Sequence, residues 1–180
     1  ITVQWEGREF PVPTDEHPPM DYDYSGFPEH TYPIQYKAPG SPALAARVRE
    51  LLGDAGIHSG EDATRGFDHG TFVPLGLMYP DADMPIVMLS MKSNYDQSEH
   101  ISAGQALEYW SDQGVLIIGR GLTYHNMSGF GRAGAMQVPA LFEYYVKDST
   151  KDTGTEARTK KSQEWETAQV QRLAPRCDST

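Results

Sequence analysis

Two histidines in this chain sit where side chains can do chemistry. The first is His125, in "VLIIGRGLTYHNMSGFGRAG". It follows an apolar, strand-like run and a glycine-rich turn, and in parallel α/β sheets ligands gather beyond the carboxyl ends of strands. Gly119 and Gly121 let the backbone approach a ligand closely. A histidine so placed can act as an acid, a base or a metal ligand, and a purely structural histidine fits the same position. The second is His69, in "RGFDHGTFVPLGLMYPDADMPIVMLSM". Asp68 is its neighbour in sequence, so the two side chains need not face each other, and Gly70 removes bulk beside the imidazole. The alternative for this triplet is a turn in which Asp68 caps a backbone amide.

The remaining candidates are weaker. His17, His30, His58 and His100 read as solvated surface residues. No pair of residues has HxH, HExxH or CxxC spacing, so the chain carries no self-contained metal motif. "GFGRAG" at 129–134 matches GxGxxG but has no acidic partner at the end of a second strand, which argues against a dinucleotide site. GxSxG is absent, which argues against a nucleophile-elbow hydrolase. Asp81 and Asp83 fall in a "PDAD" turn and read as solvated.

The elements that must position these residues follow from pattern. Residues 1–40 are rich in proline, which forbids a helix, yet Tyr22, Tyr24, Phe27, Tyr32 and Tyr36 carry too much apolar surface for a disordered linker. An ordered, extended segment that wraps a core or lines a pocket is expected. "SPALAARVRELLGDAG" predicts a helix with Ser41 as N-cap, Pro42 in the first turn and a stripe of Leu44, Val48, Leu51 and Leu52. "MPIVMLSM" (84–91) and "GVLIIGRG" (114–121) predict buried strands. Between them, "SEHISAGQALEYWSDQG" predicts a helix capped by Ser98, with Ile101, Leu107 and Trp110 inward. Strand, helix, strand in this order suggests a parallel crossover unit. "PALFEYYVKDS" predicts a third helix and "TEARTKKSQEWETAQVQRLA" a fourth, mostly solvated, touching the body through Trp165 and Leu173. The expectation is therefore an α/β fold: a single domain over 1–180 with a central, mostly parallel or mixed sheet flanked by helices.

Totals exclude some classes of function. The chain has 180 residues, 38% hydrophobic and 22% charged, enough for one domain with a real core. A net charge of −10 argues against nucleic acid. No apolar stretch reaches the roughly 20 residues a membrane helix needs, and "ITVQWEGREF" has no basic start or apolar core of a signal peptide. One cysteine, Cys177, excludes an internal disulfide and fits a reducing, cytoplasmic compartment. The oligomeric state stays open.

The stretches "YDYSGFPEHTYPIQYKAPGSPALAARVRELL", "RGFDHGTFVPLGLMYPDADMPIVMLSM" and "GVLIIGRGLTYHNM", in order and with natural spacing, resemble the class III, LigB-type extradiol ring-cleavage dioxygenases, in particular the DOPA-4,5-dioxygenase-like branch. The similarity runs from about Trp5 to Met127 and more faintly to Pro175. It implies a non-haem metal, Fe(II) or Zn(II), a catechol-like aromatic substrate and O₂. By that resemblance His125 is catalytic and beside the metal or ligating it, and Asn126 follows it in the substrate site. His69 lines the substrate pocket with Asp68, Tyr24 and Phe27. The resemblance also implies departures. Gln4, in Gln4-Trp5-Glu6, stands where the family has a metal-binding histidine, and Ser25 stands where it has a tyrosine. The family's first strand and ligand would precede Ile1, and its last ligand would follow "LAPRCDST". Metal is therefore expected to be weakly held or absent in this chain. The resemblance leaves two functional readings: a metal-dependent ring-opening dioxygenase, and a non-catalytic relic of that fold that at most binds an aromatic ligand.

Overall fold

A computed structural model describes residues 1–121, 137–151 and 154–164. The chain divides into two compact units, Ile1–Gly121 and Leu122–Thr180. The first holds four two-residue strands, β1 (Glu6–Gly7), β2 (Val12–Pro13), β3 (Glu61–Asp62) and β4 (Met91–Lys92), and three helices, α1 (Pro42–Asp54), α2 (His69–Met78) and α3 (Gln97–Ala106). The described part of the second holds α4 (Gln137–Lys151) and α5 (Thr155–Gln163).

Every described strand pairing is parallel. β1 pairs with β4 in the register Glu6↔Met91, and β2 with β3 in the register Val12↔Glu61. Isolated parallel bridges join Thr2 to Arg120 and Met20 to Phe67. Pro13 has no N–H to give, so the β2 ladder runs through its neighbours: Val12 donates to the Gly60 carbonyl and Thr14 to that of Asp62. The α/β expectation holds in the form of helices beside short parallel ladders.

α1 forms as its sequence predicts. The Ser41 hydroxyl accepts from the Leu44 amide at 3.2 Å and Pro42 opens the helix. Gly56 lies just past its end at φ +74°, a backbone region that glycine enters without steric cost. Ala45 and Leu52 are fully buried and pack with Phe10, Val12, Leu89, Ala103 and Leu107 into one core cluster. A second cluster gathers Trp5, Tyr36, Ala38, Phe67, Phe72 and Met88. Burying each such aromatic or aliphatic side chain contributes about 1.5–3 kcal/mol. Both clusters draw on residues 1–40, so that proline-rich segment is ordered and wraps the core as expected.

Three local expectations are corrected, after one that holds. Asp68 caps a backbone amide, as the alternative reading of the 68–70 triplet has it, and the turn it caps opens a helix, α2. The run after this triplet is apolar on nearly every side, so no period in the sequence separates helix from strand, while the Asp68 cap decides for helix. The cap of α3 is Asp96, two residues before Ser98, because the Asp96 carboxylate accepts from the Glu99 amide at 2.8 Å. Of the two predicted buried strands, 84–91 is buried only at Met88, Leu89 and Ser90 and is laddered at Met91. In 114–121, Leu116 and Ile117 are exposed. His100 is no solvated bystander. Its Nε2 accepts from the Lys92 amide at 3.0 Å, which leaves Nδ1–H to donate to the Asp96 carbonyl at 2.6 Å, and its ring meets Phe10 edge-on at 5.2 Å.

In the second unit, the Tyr145 hydroxyl donates to the Lys161 carbonyl, tying α4 to α5. α4 runs through Lys151, two residues past the predicted end at Ser149. Trp165, Leu173 and "GFGRAG" lie outside the described residues. No described helix is long and apolar enough to cross a membrane.

Candidate functional site

The site is built on the first turn of α2. Asp68 is wholly buried as the N-cap residue. Its Oδ1 accepts from the Thr71 amide at 2.9 Å and from the Thr71 hydroxyl at 3.0 Å. Its Oδ2 accepts from Arg65 at 3.2 Å and from the Thr2 hydroxyl at 3.4 Å. A carboxylate with this many donors is satisfied without a ligand. Arg65 reaches on to Asp21 at 3.0 Å and lies over the Trp5 ring at 5.4 Å, so the anchor of α2 is also part of the core wall.

That anchor leaves His69 at the start of the helix, facing a different acid. The His69 ring pairs through Nδ1 with Asp23 Oδ1 at 2.8 Å, and the His69 amide donates to the same oxygen at 2.9 Å. Asp23 lies 46 residues away in sequence and was not singled out there. Its signal is faint, an acid between two tyrosines in "YDY". With Nδ1–H donating to a carboxylate, Nε2 carries the lone pair, the tautomer of a general base or of a hydrogen-bond acceptor. The two side chains are 31% and 21% exposed, so the pair is accessible from solvent.

An aromatic wall stands beside it. The Tyr24 ring meets His69 edge-on at 6.0 Å, Phe27 edge-on at 5.5 Å and Phe72 at 6.2 Å, and stacks on Tyr32 at 5.3 Å. The Tyr24 hydroxyl is bound to the Thr31 carbonyl at 2.8 Å, which fixes the ring and takes its donor out of play. Phe27 is 60% exposed. The structure thus brings His69, Tyr24 and Phe27 together and places Asp68 behind them. His125 and Asn126 lie outside the described residues. Tyr32, Phe72 and Asp23 are the additions.

A third strip of the chain closes on the same turn. A Cβ placed on Gly70 would lie 2.6 Å from Arg120 Nη1 and 2.8 Å from Gln4 Oε1, so only glycine allows these groups to approach. Arg120 donates to the Gln4 side-chain oxygen. This bears on the implied metal. Among the described residues no three or more His, Cys, Asp or Glu come together as a metal site. The Gln4 oxygen already serves a guanidinium, which repels a second cation. The described donors therefore do not fit Fe(II) or Zn(II).

The fold is α/β with parallel ladders, and a histidine–carboxylate pair stands against an aromatic wall; comparison with known proteins supplies the family. Residues 7–176 match the catalytic LigB subunit of aromatic ring-opening dioxygenase, and the chain belongs to this LigB family. It is 45% identical over 130 residues to a 4,5-DOPA dioxygenase extradiol of Beta vulgaris, covering 72% of this chain and 48% of that one. It is 39% identical over 127 residues to the 4,5-DOPA dioxygenase extradiol of Escherichia coli K12, covering 71% and 46%. The crystal structure of an uncharacterized protein from Escherichia coli K12 matches with a TM-score of 0.68 and 31% identity, over 94% of this chain and 62% of that one. The chain spans about half the length of the curated relatives it matches.

Proposed function

We propose that this chain carries the substrate-handling half of an extradiol dioxygenase that opens the ring of a small catechol-like aromatic with O₂. The observation that carries the reading is the Asp23–His69 pair against the Tyr24 ring. A flat aromatic substrate is held by offset or edge contacts to Tyr24, Phe27 and Tyr32, each such contact adding about 0.5–1.5 kcal/mol. His69, its Nδ1–H fixed by Asp23, accepts a proton or a hydrogen bond at Nε2 from a catechol hydroxyl, which favours the more nucleophilic phenolate. Asp68 acts through position: it fixes the first turn of α2, and so the place of His69, without touching substrate. His125, with Asn126 beside it, is the proposed second acid or base and the chain's own candidate metal ligand. The Fe(II) or Zn(II) of the family resemblance finds no donor set among the described residues, so no step is assigned to it.

A second reading has an observation of its own. Gln4, held by Arg120, favours a module that keeps the aromatic pocket and binds a catechol without opening it. One experiment separates the two. DOPA or protocatechuate is titrated into the chain with and without added Fe(II), following heat of binding, O₂ consumption and the yellow ring-opened product. Saturable binding that His69→Ala or Tyr24→Ala weakens about tenfold, or 1.4 kcal/mol, is expected on both readings. O₂ consumption with product marks the dioxygenase; binding with neither marks the module; no binding to the unmodified chain sinks both.

A further inference from the structure

Three acids, Asp21, Asp23 and Asp68, crowd the start of α2, and one guanidinium joins two of them. Its place is set locally. The Asp62 Oδ1 accepts from the amides of Thr64 and Arg65 and from the Thr64 hydroxyl, each at 2.9 Å, and so folds the turn that presents the Arg65 side chain. Just beyond, the 19–21 strip runs beside Phe67. The Phe67 amide donates to the Pro19 carbonyl at 2.8 Å and the Asp21 amide to the Phe67 carbonyl at 2.9 Å, around the Met20–Phe67 bridge. A Cβ on Gly66 would lie 2.4 Å from the Pro19 oxygen, so the two strips close only over glycine.

The contacts around Arg65 form a closed circuit. Arg65 Nη2 donates to Asp68 Oδ2 at 3.2 Å, and Asp68 is followed directly by His69. His69 meets Asp23 Oδ1 through its amide at 2.9 Å and its Nδ1 at 2.8 Å. The Asp23 amide donates to the Asp21 carbonyl at 3.0 Å, a tight turn that ties these two residues together. Asp21 Oδ2 accepts from Arg65 Nη1 at 3.0 Å and closes the circuit. Ring contacts of Tyr22 and Tyr24 with Phe72 also hold the strip to α2, but through faces and edges that can slide. A planar fork with two N–H arms adds direction.

The bridging has a visible cost. The Arg65 Nε–H is buried and has no acceptor among the described residues. A bidentate pair with a single carboxylate uses two N–H groups of one guanidinium together. Here the two arms go to carboxylates on two different segments, and an idle buried donor is tolerated for it. We infer that Arg65 is the positioning residue of the histidine site: it fixes the Asp23 strip against the first turn of α2, and so holds the imidazole in its Nδ1–H tautomer without touching His69, Asp23 or substrate. Lysine cannot replace it, because an ammonium is a point charge with no fixed fork. This role rests on the proposed reading of His69, yet its first readout needs no ligand.

The test labels the 180-residue chain with ¹⁵N-histidine and reads the His69 nitrogen shifts above the titration of the imidazole, where only the two neutral tautomers remain. Arg65→Lys keeps a cation beside the buried Asp68, so that the variant folds. Asp21→Ala cuts the same bridge at its more exposed end and leaves the Asp68 cap whole. Each should lower the ratio of the Nδ1–H to the Nε2–H form by about threefold to tenfold, the worth of one net hydrogen bond. His100→Ala, which weakens the fold at α3, should lower the urea midpoint and leave the ratio at the parent value. A parent ratio in either bridge variant, or an equal change in His100→Ala, overturns the inference. DOPA titration then separates it from the reading beneath it. Binding weakened in both bridge variants supports the two together; a shifted tautomer in a parent chain that binds no DOPA leaves the positioning role standing and removes the proposed function.

Discussion

Asp23 and Asp68 are both acids beside His69, and their surroundings give them different work. Asp68 is buried and holds four donors. Asp68→Ala removes a helix cap and leaves Arg65 and Thr71 short of an acceptor. It should cost about 2–4 kcal/mol of stability in a urea titration. The Asp23 side chain is partly exposed, and among the described hydrogen bonds its carboxylate meets only His69. Asp23→Ala should cost less than about 1 kcal/mol. It should instead loosen the imidazole, seen as a loss of the Nδ1–H tautomer in the ¹⁵N shifts of His69, together with weaker catechol binding. If Asp68→Ala proves the milder change for folding, the division of labour between the two acids is wrong.

At the scale of the element, α3 depends on a small polar clasp at its start. Asp96 caps the helix, Glu99 binds Lys92 and Asn94, and His100 takes the Lys92 amide. His100→Ala removes the acceptor for that amide and the edge contact to Phe10. It should lower stability by about 1–3 kcal/mol in denaturant titration. The Glu99 carboxyl lies below its ordinary value of 4.5, because the Lys92 and Asn94 side chains hydrogen-bond its charged form. A depressed carboxylate stabilises the fold above its unfolded-state value and loses that contribution as pH falls through the folded one. Melting curves of the parent chain should therefore fall on acidification below about pH 4.5 more steeply than those of Glu99→Gln, with the two converging at lower pH. Parallel acid limbs would show that the clasp contributes nothing.

At the scale of the molecule, the first unit is closed by contacts between segments far apart in sequence. Gln4, Gly70 and Arg120 meet at one point, joining the first residues, the start of α2 and the end of the 114–121 segment. Gly70→Ala sets a methyl group against the ends of the Arg120 and Gln4 side chains, which must swing apart to admit it. Losing that hydrogen bond should cost about 1 kcal/mol, read as a lower guanidinium midpoint. Substituting Gly53, around which a Cβ meets nothing, should not lower it, since alanine is the better helix former. A Gly70→Ala chain as stable as the parent would mean that these three segments are not packed as described.

The sequence by itself determined what a few neighbouring residues can decide. Ser41 and Pro42 start α1 because capping is a bond across three residues. The aromatics of residues 1–40 called for an ordered segment because that much apolar surface does not suit a disordered one; Tyr36 is buried in the core, while Phe27 stays exposed beside the site. The long motifs around Asp68-His69-Gly70 and the 114–121 run were enough to point to the family. Only the tertiary structure decided the partners. Asp68, adjacent to His69, turns away to cap α2, while Asp23, 46 residues off, takes the imidazole. α2 itself is helix because of that cap and not because of any period in its apolar run. His125 and Asn126, expected as site residues from the sequence, lie outside the described residues. The physical reason is one of range. Caps and burial are fixed by local chemistry, whereas hydrogen-bond partners are chosen by which distant segments the packed core brings to the same few ångströms.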